Sequence, residues 1–131
     1  MTLVVDASAL VAIALGEPDA PALEVCLTDA PQAFATAMNL TEAGLALVLR
    51  RGHFTPAQFQ EWLAALGVVE AHVGGGEALD AYLRYGKGVH RAGLNLGDCF
   101  AYALAKRLDA PLLYKGSDFT LTDVRPALQP T

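Results

Sequence analysis

The 131-residue sequence has few cysteines, few charged residues and no long uninterrupted apolar segment. Its two cysteines, Cys26 and Cys99, are too few for a disulfide framework and lack the Cys and His spacing of a zinc site. The apolar stretch 3–15 is interrupted by Asp6 and Ser8 and is shorter than the roughly 18 residues that a membrane span requires. No basic residue precedes it, so we expect neither a signal peptide nor a membrane helix, and a cytoplasmic location.

The glycines and histidines of the sequence form none of the motifs that would indicate phosphate binding, metal binding or triad catalysis. The glycine run 74–76 matches neither a dinucleotide-binding nor a P-loop fingerprint, because the required glycine and lysine spacings are absent. His53, His72 and His90 have no metal-ligand spacing and lie near no Ser or Cys nucleophile motif. These absences exclude phosphate binding by a glycine loop and give no support to triad catalysis.

Hydrophobic residues make up 53% of the chain and charged residues 18%, which excludes a disordered acidic tail and predicts one domain over residues 1–131. Nine Lys and Arg against fourteen Asp and Glu give a net charge of −5. Taken alone, this balance argues against a nucleic-acid partner. It argues less strongly if several of the acids belong to one metal site.

Short apolar runs alternate with helical segments along the chain. Because each run is continuously apolar and separated from the next by helices, the sequence predicts an α/β fold with a short central parallel sheet flanked by helices. We expect strands at 2–5, 33–36, 68–73 and 112–114, and helices at 7–15, 20–27, 38–51, 56–66, 77–85 and 97–108.

Four acids occupy positions where a simple surface residue is not expected. Asp6 closes the first strand and Asp118 follows the last, so both should meet at the carboxyl edge of the sheet, where ligands bind. Glu42 and Asp98 lie near the amino ends of helices that begin on that side. Each acid also has a local explanation as a helix cap, a helix-dipole partner or an Asx turn.

Together the four acids favour a metal site over four separate caps. Clustered carboxylates stay ionised near one another only when a cation lies between them. Ligation by carboxylate oxygens alone selects hard ions, Mg²⁺ or Mn²⁺. Such ions activate water and stabilise the leaving oxygen in phosphodiester hydrolysis.

The four acids lie in or beside short sequence blocks at 4–10, 39–43, 96–105, 112–119 and 122–124. In these blocks, the sequence resembles the PIN-domain ribonucleases, most closely the VapC-type toxins of bacterial toxin–antitoxin pairs. The resemblance implies a PIN-like three-layer fold and a Mg²⁺-dependent endoribonuclease, with Mn²⁺ as a possible substitute. It also implies a homodimer and a VapB-type antitoxin whose C-terminal segment covers the active site.

The same resemblance implies roles for individual residues. Asp6 and Asp98 are the expected metal ligands, and Glu42 and Asp118 complete the catalytic acidic cluster. The family's last motif often carries an acid earlier in this loop, where this chain has Gly116 and Ser117, and the nearby Asp123 competes with Asp118 for the fourth place.

A basic segment offers an approach for RNA. No acid lies within residues 81–97, while Arg84, Lys87 and Arg91 are basic and two tyrosines are available for base stacking. The alternative is a solvated basic loop. We also expect Lys115 to contact the scissile phosphate, and the resemblance places Ser8 where it can hydrogen-bond a ligand, water or phosphate.

Other interpretations stay open at this point. A PIN-like nuclease of RNA maturation would carry the same residues without acting as a toxin. Phosphoryl transfer of the haloacid-dehalogenase kind needs a second Asp where this chain has Ser8, and a receiver domain needs an acid beside Asp6. The apolar stripe at 59–66 is either a contact surface for a partner or the core-facing side of a helix.

Overall fold

The structure is a computed structural model and describes residues 1–128. Over that range the chain forms a four-stranded sheet, six α-helices and one π-helix. In chain order the elements are β1 (Thr2–Val5), α1 (Ala7–Leu15), α2 (Ala20–Asp29), β2 (Gln32–Thr36), α3 (Ala37–Gly44), the π-helix Leu45–Arg50, α4 (Pro56–Leu66), β3 (Val68–Ala71), α5 (Gly75–Tyr85), α6 (Leu96–Arg107) and β4 (Leu112–Leu113).

All strand pairs in the sheet are parallel, and the strand order is β3-β2-β1-β4. The chain therefore extends the sheet in one direction from β1 to β3 and then returns to add β4 on the opposite side of β1. This reversal makes a topological switch point at the carboxyl ends of β1 and β4, where α/β sheets bind ligands. The predicted parallel sheet flanked by helices is confirmed.

Two apolar clusters cover the two faces of the sheet. Leu3 and Val5 point into the cluster beneath α1, α2, α3 and α4, whereas Val4 points into the cluster beneath α5 and α6. This alternation is the two-residue period of a strand, and it makes every residue of β1 after Thr2 a core residue. The result is the expected three-layer arrangement, with β1 fixed in place from both sides.

The helix predicted over 38–51 differs most from the structure. Its α-helical part ends at Gly44, and wider π-type hydrogen bonding follows to Arg50. The side-chain-free face of Gly44 lies against the Phe59 ring, which is 3.2 Å from where a Cβ would stand. Glycine has a low helix propensity, and the change in hydrogen bonding begins directly after it. Sequence periodicity alone carries no signal for this local widening.

The apolar stripe of α4 is mainly part of the core. Phe59 and Leu63 are buried, and Trp62 and Leu66 are partly buried against the same cluster. The capping box of Thr55 and Gln58 begins this helix, as the Thr-Pro sequence suggests. Within residues 1–128 no helix combines the length and apolar character needed to cross a membrane.

Candidate active site

The switch point brings together acids from four separate elements. Asp6 follows β1 directly and caps α1, and its carboxylate accepts a hydrogen bond from the Ser8 backbone N–H at 3.1 Å. Asp98 lies in the first turn of α6. Glu42 projects from the second turn of α3, and the exposed Asp118 lies in the loop after β4. The helix caps proposed as alternatives are present at Asp6 and Asp98, but capping and clustering occur together.

The electrostatics show that these acids are neighbours. Burial raises the pKa of Asp98 to about 7, and the charges of Asp6, Asp118 and Glu42 add to the effect against a backbone hydrogen bond from Asn95. Burial, opposed by hydrogen bonds from Ser8, also raises the pKa of Asp6. The pKa of Glu42 is raised by burial and then by the charge of Asp6. The site therefore concentrates negative charge where water screens it poorly.

Ser8 connects the two strand ends that form the site. Its hydroxyl donates to the Asp6 carboxylate at 2.6 Å and accepts from the Lys115 backbone N–H at 3.0 Å. One side chain thus joins the end of β1 to the loop that carries Asp118. The structure gives Ser8 this intramolecular role, and the expected contact with a ligand or phosphate stays a prediction.

Asp123 lies in a different environment from Asp118. Its carboxylate accepts a 2.5 Å hydrogen bond from the Tyr102 hydroxyl and pairs with Arg84 and Lys106, each at 3.3 Å. Burial alone would raise the pKa of Asp123, but these three partners together lower it. Of the two competing acids, Asp118 is the one whose charge acts on Asp6 and Asp98.

The predicted substrate-binding cations fall into two groups. Arg84 pairs with Asp123, and the Lys115 ammonium group lies 2.7 Å from Glu17 and 3.3 Å from Asp19. Lys87 and Arg91 are exposed on the loop between α5 and α6. That loop is closed by backbone hydrogen bonding between its two ends and by the edge-on packing of Tyr85 and His90.

Sequence reasoning missed the polar residues that hold the acids. The buried Asn39 amide donates to Gly97 O at 3.0 Å and to Glu42 Oε1 at 3.2 Å. The Thr36 hydroxyl in turn donates to Asn39 Oδ1 at 2.5 Å. The one available signal was the spacing of Asn39 and Glu42, three residues apart and therefore on one helix face.

The donor set fits a divalent cation held by few protein ligands. Across residues 1–128, no three His, Cys, Asp or Glu side chains are already gathered as a metal site. Mg²⁺ does not require such a cage, because it keeps several waters and binds through one or two carboxylates. Asp6 and Asp98 are a pair that could bind such an ion, and their pKa values are raised first by burial and further by neighbouring negative charge, which a cation would offset.

A parallel α/β sheet with acids at its switch point is suited to binding a divalent cation and to metal-assisted chemistry on phosphate groups. The family model of the PIN domain matches residues 3–124 of this chain. The chain therefore belongs to the PIN-domain family, which confirms the resemblance noted in the sequence.

Two similar proteins narrow the assignment within the PIN-domain family. The chain is 46% identical over 126 residues to "Ribonuclease VapC" of Mycolicibacterium smegmatis, covering 93% of this chain and 97% of that protein. It is 43% identical over 132 residues to "Ribonuclease VapC30" of Mycobacterium tuberculosis, covering 98% of this chain and all of that protein. The expected similarity to the VapC ribonucleases is confirmed.

A solved structure supports the fold independently. The crystal structure of VapC20 from Mycobacterium tuberculosis, described as a sarcin-ricin loop cleaving toxin, aligns with a TM-score of 0.71. The alignment covers 95% of this chain and 99% of that chain at 18% sequence identity. At this identity the likeness shows a shared fold.

Proposed function

We propose that this chain is the toxin of a toxin–antitoxin pair and acts as a Mg²⁺-dependent endoribonuclease. The observation that carries the proposal is the meeting of Asp6, Glu42, Asp98 and Asp118 at the β1/β4 switch point, where burial and mutual repulsion raise the pKa of the first three. The names of the VapC relatives support the choice of RNA as the substrate.

Each acid has a distinct part in the proposed reaction. Asp6 and Asp98 would hold the cation, and Mn²⁺ would substitute for Mg²⁺ there. When bound, the ion supplies positive charge against the phosphate and lowers the pKa of water. Glu42 would accept a proton from the attacking water, since burial and the charge of Asp6 raise its pKa above the ordinary value and make it a stronger base. Asp118 completes the negative environment that holds the cation.

The substrate approaches along the loop between α5 and α6. Lys87 and Arg91 are exposed there and supply phosphate contacts, while Arg84 and Lys115 contribute when RNA displaces their carboxylate partners. Setting the four site acids aside leaves ten acids against nine basic residues. The overall charge of −5 is therefore compatible with an RNA partner.

We also propose two protein partners and a cytoplasmic location for this chain. A VapB-type antitoxin covers the site, and a second copy of the chain forms a homodimer. Leu79 and Leu83, which are 56% and 60% exposed on α5, supply apolar surface for such contacts. A PIN-like nuclease of RNA maturation is the alternative, and its gene neighbourhood would lack a small DNA-binding protein.

The test compares RNA cleavage by the parent chain with that by Asp98→Asn. We expect cleavage that needs Mg²⁺, stops with a chelator and is lost in Asp98→Asn while the fold is retained. Glu61→Gln, at an exposed position on α4, is the matched control and should cleave like the parent. Cleavage by Asp98→Asn at the parent rate would refute the metal assignment.

A growth assay separates the toxin from the RNA-maturation nuclease. Expression of the parent chain alone should arrest growth, and Asp6→Asn should relieve the arrest. Equal toxicity from both chains would refute the catalytic explanation. RNA cleavage in vitro without growth arrest would favour the maturation nuclease.

A further inference from the structure

Asn39 is a fully buried amide at the centre of the acidic cluster. Its Nδ2 atom lies 3.0 Å from Gly97 O, 3.2 Å from Glu42 Oε1 and 3.5 Å from Asp6 Oδ1. These oxygens belong to α6, to α3 and to the end of β1. One side chain therefore contacts three of the elements that carry the site.

The orientation of this amide follows from its neighbours. The oxygens of Gly97, Glu42 and Asp6 accept hydrogen bonds when the two acids are ionised, so the NH₂ group must face them. The opposite side faces the Thr36 hydroxyl, which donates to Asn39 Oδ1 and accepts from the Asn39 backbone N–H at 3.1 Å. With two hydrogens for three acceptors, the 3.5 Å contact to Asp6 is the weakest.

Gly97 supplies the space that the Glu42 carboxylate occupies. A Cβ atom at Gly97 would overlap all three atoms of that carboxylate. Gly97 lies in the first turn of α6, beside Asp98, where alanine would favour the helix by about 1 kcal/mol. The absence of a side chain thus carries a conformational cost, and in return Glu42 packs directly on the α6 backbone.

Resting on the nuclease function proposed above, we propose that Asn39 and Gly97 are positioning residues that together fix the Glu42 carboxylate. Gly97 leaves the space and a carbonyl, and Asn39 links that carbonyl to the carboxylate. A neutral amide suits this task because its N–H groups bind two carboxylates without placing a cation where the divalent ion must bind.

The first experiment displaces Glu42 without altering any hydrogen-bonding side chain. Gly97→Ala should lower kcat about 10- to 100-fold with little change in KM, the usual effect of losing a group that orients a site residue. In a Glu42→Ala background the same substitution should have no further effect, because nothing is left to displace. Gly76→Ala is the matched control, since it lies in the first turn of α5 with open space around it.

The second experiment tests the amide itself. Thr36→Val removes the hydroxyl that orients Asn39, whereas Thr36→Ser keeps it, so activity should fall in the first variant and return in the second. Asn39→Asp replaces both N–H donors with an oxygen among three acceptors and should lower kcat at least as much as Gly97→Ala. If Asn39 and Gly97 only stabilised the fold, each substitution would lower the melting temperature in proportion to its loss of activity. We expect Gly97→Ala to leave the melting temperature unchanged or higher.

The decisive comparison uses Mn²⁺ binding without RNA, which remains measurable if Glu42→Ala abolishes cleavage. Glu42 adds negative charge beside the expected metal ligand Asp6, so Gly97→Ala should weaken Mn²⁺ binding about tenfold in the parent and not in the Glu42→Ala background. Equal losses in both backgrounds, or no loss in the parent, would overturn the positioning role. If the parent binds Mn²⁺ but cleaves no RNA, the proposed nuclease function fails, and the Mn²⁺ cycle still decides the role of Asn39 and Gly97.

Discussion

Replacing Asp98 with asparagine should stabilise the folded protein at neutral pH while removing its activity. The folded state raises the pKa of Asp98 from 3.8 to about 7, because burial and the charges of neighbouring acids disfavour ionisation. The folded protein therefore keeps a proton that the unfolded chain releases between about pH 4 and pH 7. Its stability must fall as the pH rises through that window and level off above it.

The magnitude follows from this pKa difference. One pKa unit corresponds to about 1.4 kcal/mol, so ionised Asp98 costs the metal-free fold up to ~4 kcal/mol above pH 7. Asparagine removes the charge and keeps an oxygen for the Asn95 N–H, and the weakening of that hydrogen bond in the neutral form is already included in the raised pKa. The gain of up to ~4 kcal/mol corresponds to at most about 15 °C in a chain of 131 residues.

Thermal unfolding by circular dichroism with a chelator present measures the difference. Asp98→Asn should melt higher than the parent at pH 8 and about equally at pH 4, with Glu61→Gln as the control for loss of a carboxylate. Added Mg²⁺ should raise the melting temperature of the parent more than that of Asp98→Asn. A lower melting temperature for Asp98→Asn at pH 8, or the same gain at both pH values, would refute the argument from buried charge.

Four further changes probe other parts of the molecule. Ser8→Ala should cost about 1–2 kcal/mol in chemical denaturation and reduce cleavage, with Ser8→Thr recovering part of both, because the hydroxyl joins two strand ends. Asp123→Asn should keep Mg²⁺-dependent cleavage while lowering the melting temperature, and loss of cleavage in the folded variant would place this acid in the site. Leu104→Ala should cost about 2–5 kcal/mol of unfolding free energy, since this side chain is fully buried. Combined Lys87→Glu and Arg91→Glu should weaken RNA binding in a filter assay and leave Mn²⁺ affinity unchanged, and unaltered RNA binding would contradict the proposed approach.

The sequence predicts the fold and the position of the acids because both follow from local patterns. Asp6 interrupts an apolar run at the end of a strand, and Asp98 opens an apolar helix, so their places at the sheet edge follow from chain direction alone. The partners of Lys115 could not be predicted in the same way. Its ammonium group pairs with Glu17, almost a hundred positions away in the chain. Such pairings depend on the assembled tertiary structure and leave no periodic signal.

The buried amide of Asn39 shows a second limit of sequence reasoning. Its spacing from Glu42 indicates a shared helix face, but a capping role at the end of a helix has the same spacing. Only the return of α6 across this face, with Gly97 against Glu42, reveals the contact between them. Residues that position others are therefore harder to find from the sequence than residues that carry charge.

The late addition of β4 beside β1 bears on how the protein is made in the cell. β1 pairs with β4 across almost the whole chain, and the site acids are spread from residue 6 to residue 118. During synthesis, a ribosome that has released only the first three strands carries a chain that lacks Asp98 and Asp118. Under the proposed function, cleavage therefore requires the chain to have emerged at least as far as residue 118 and to have folded. The strand order thus keeps the proposed site incomplete until β4 has paired with β1.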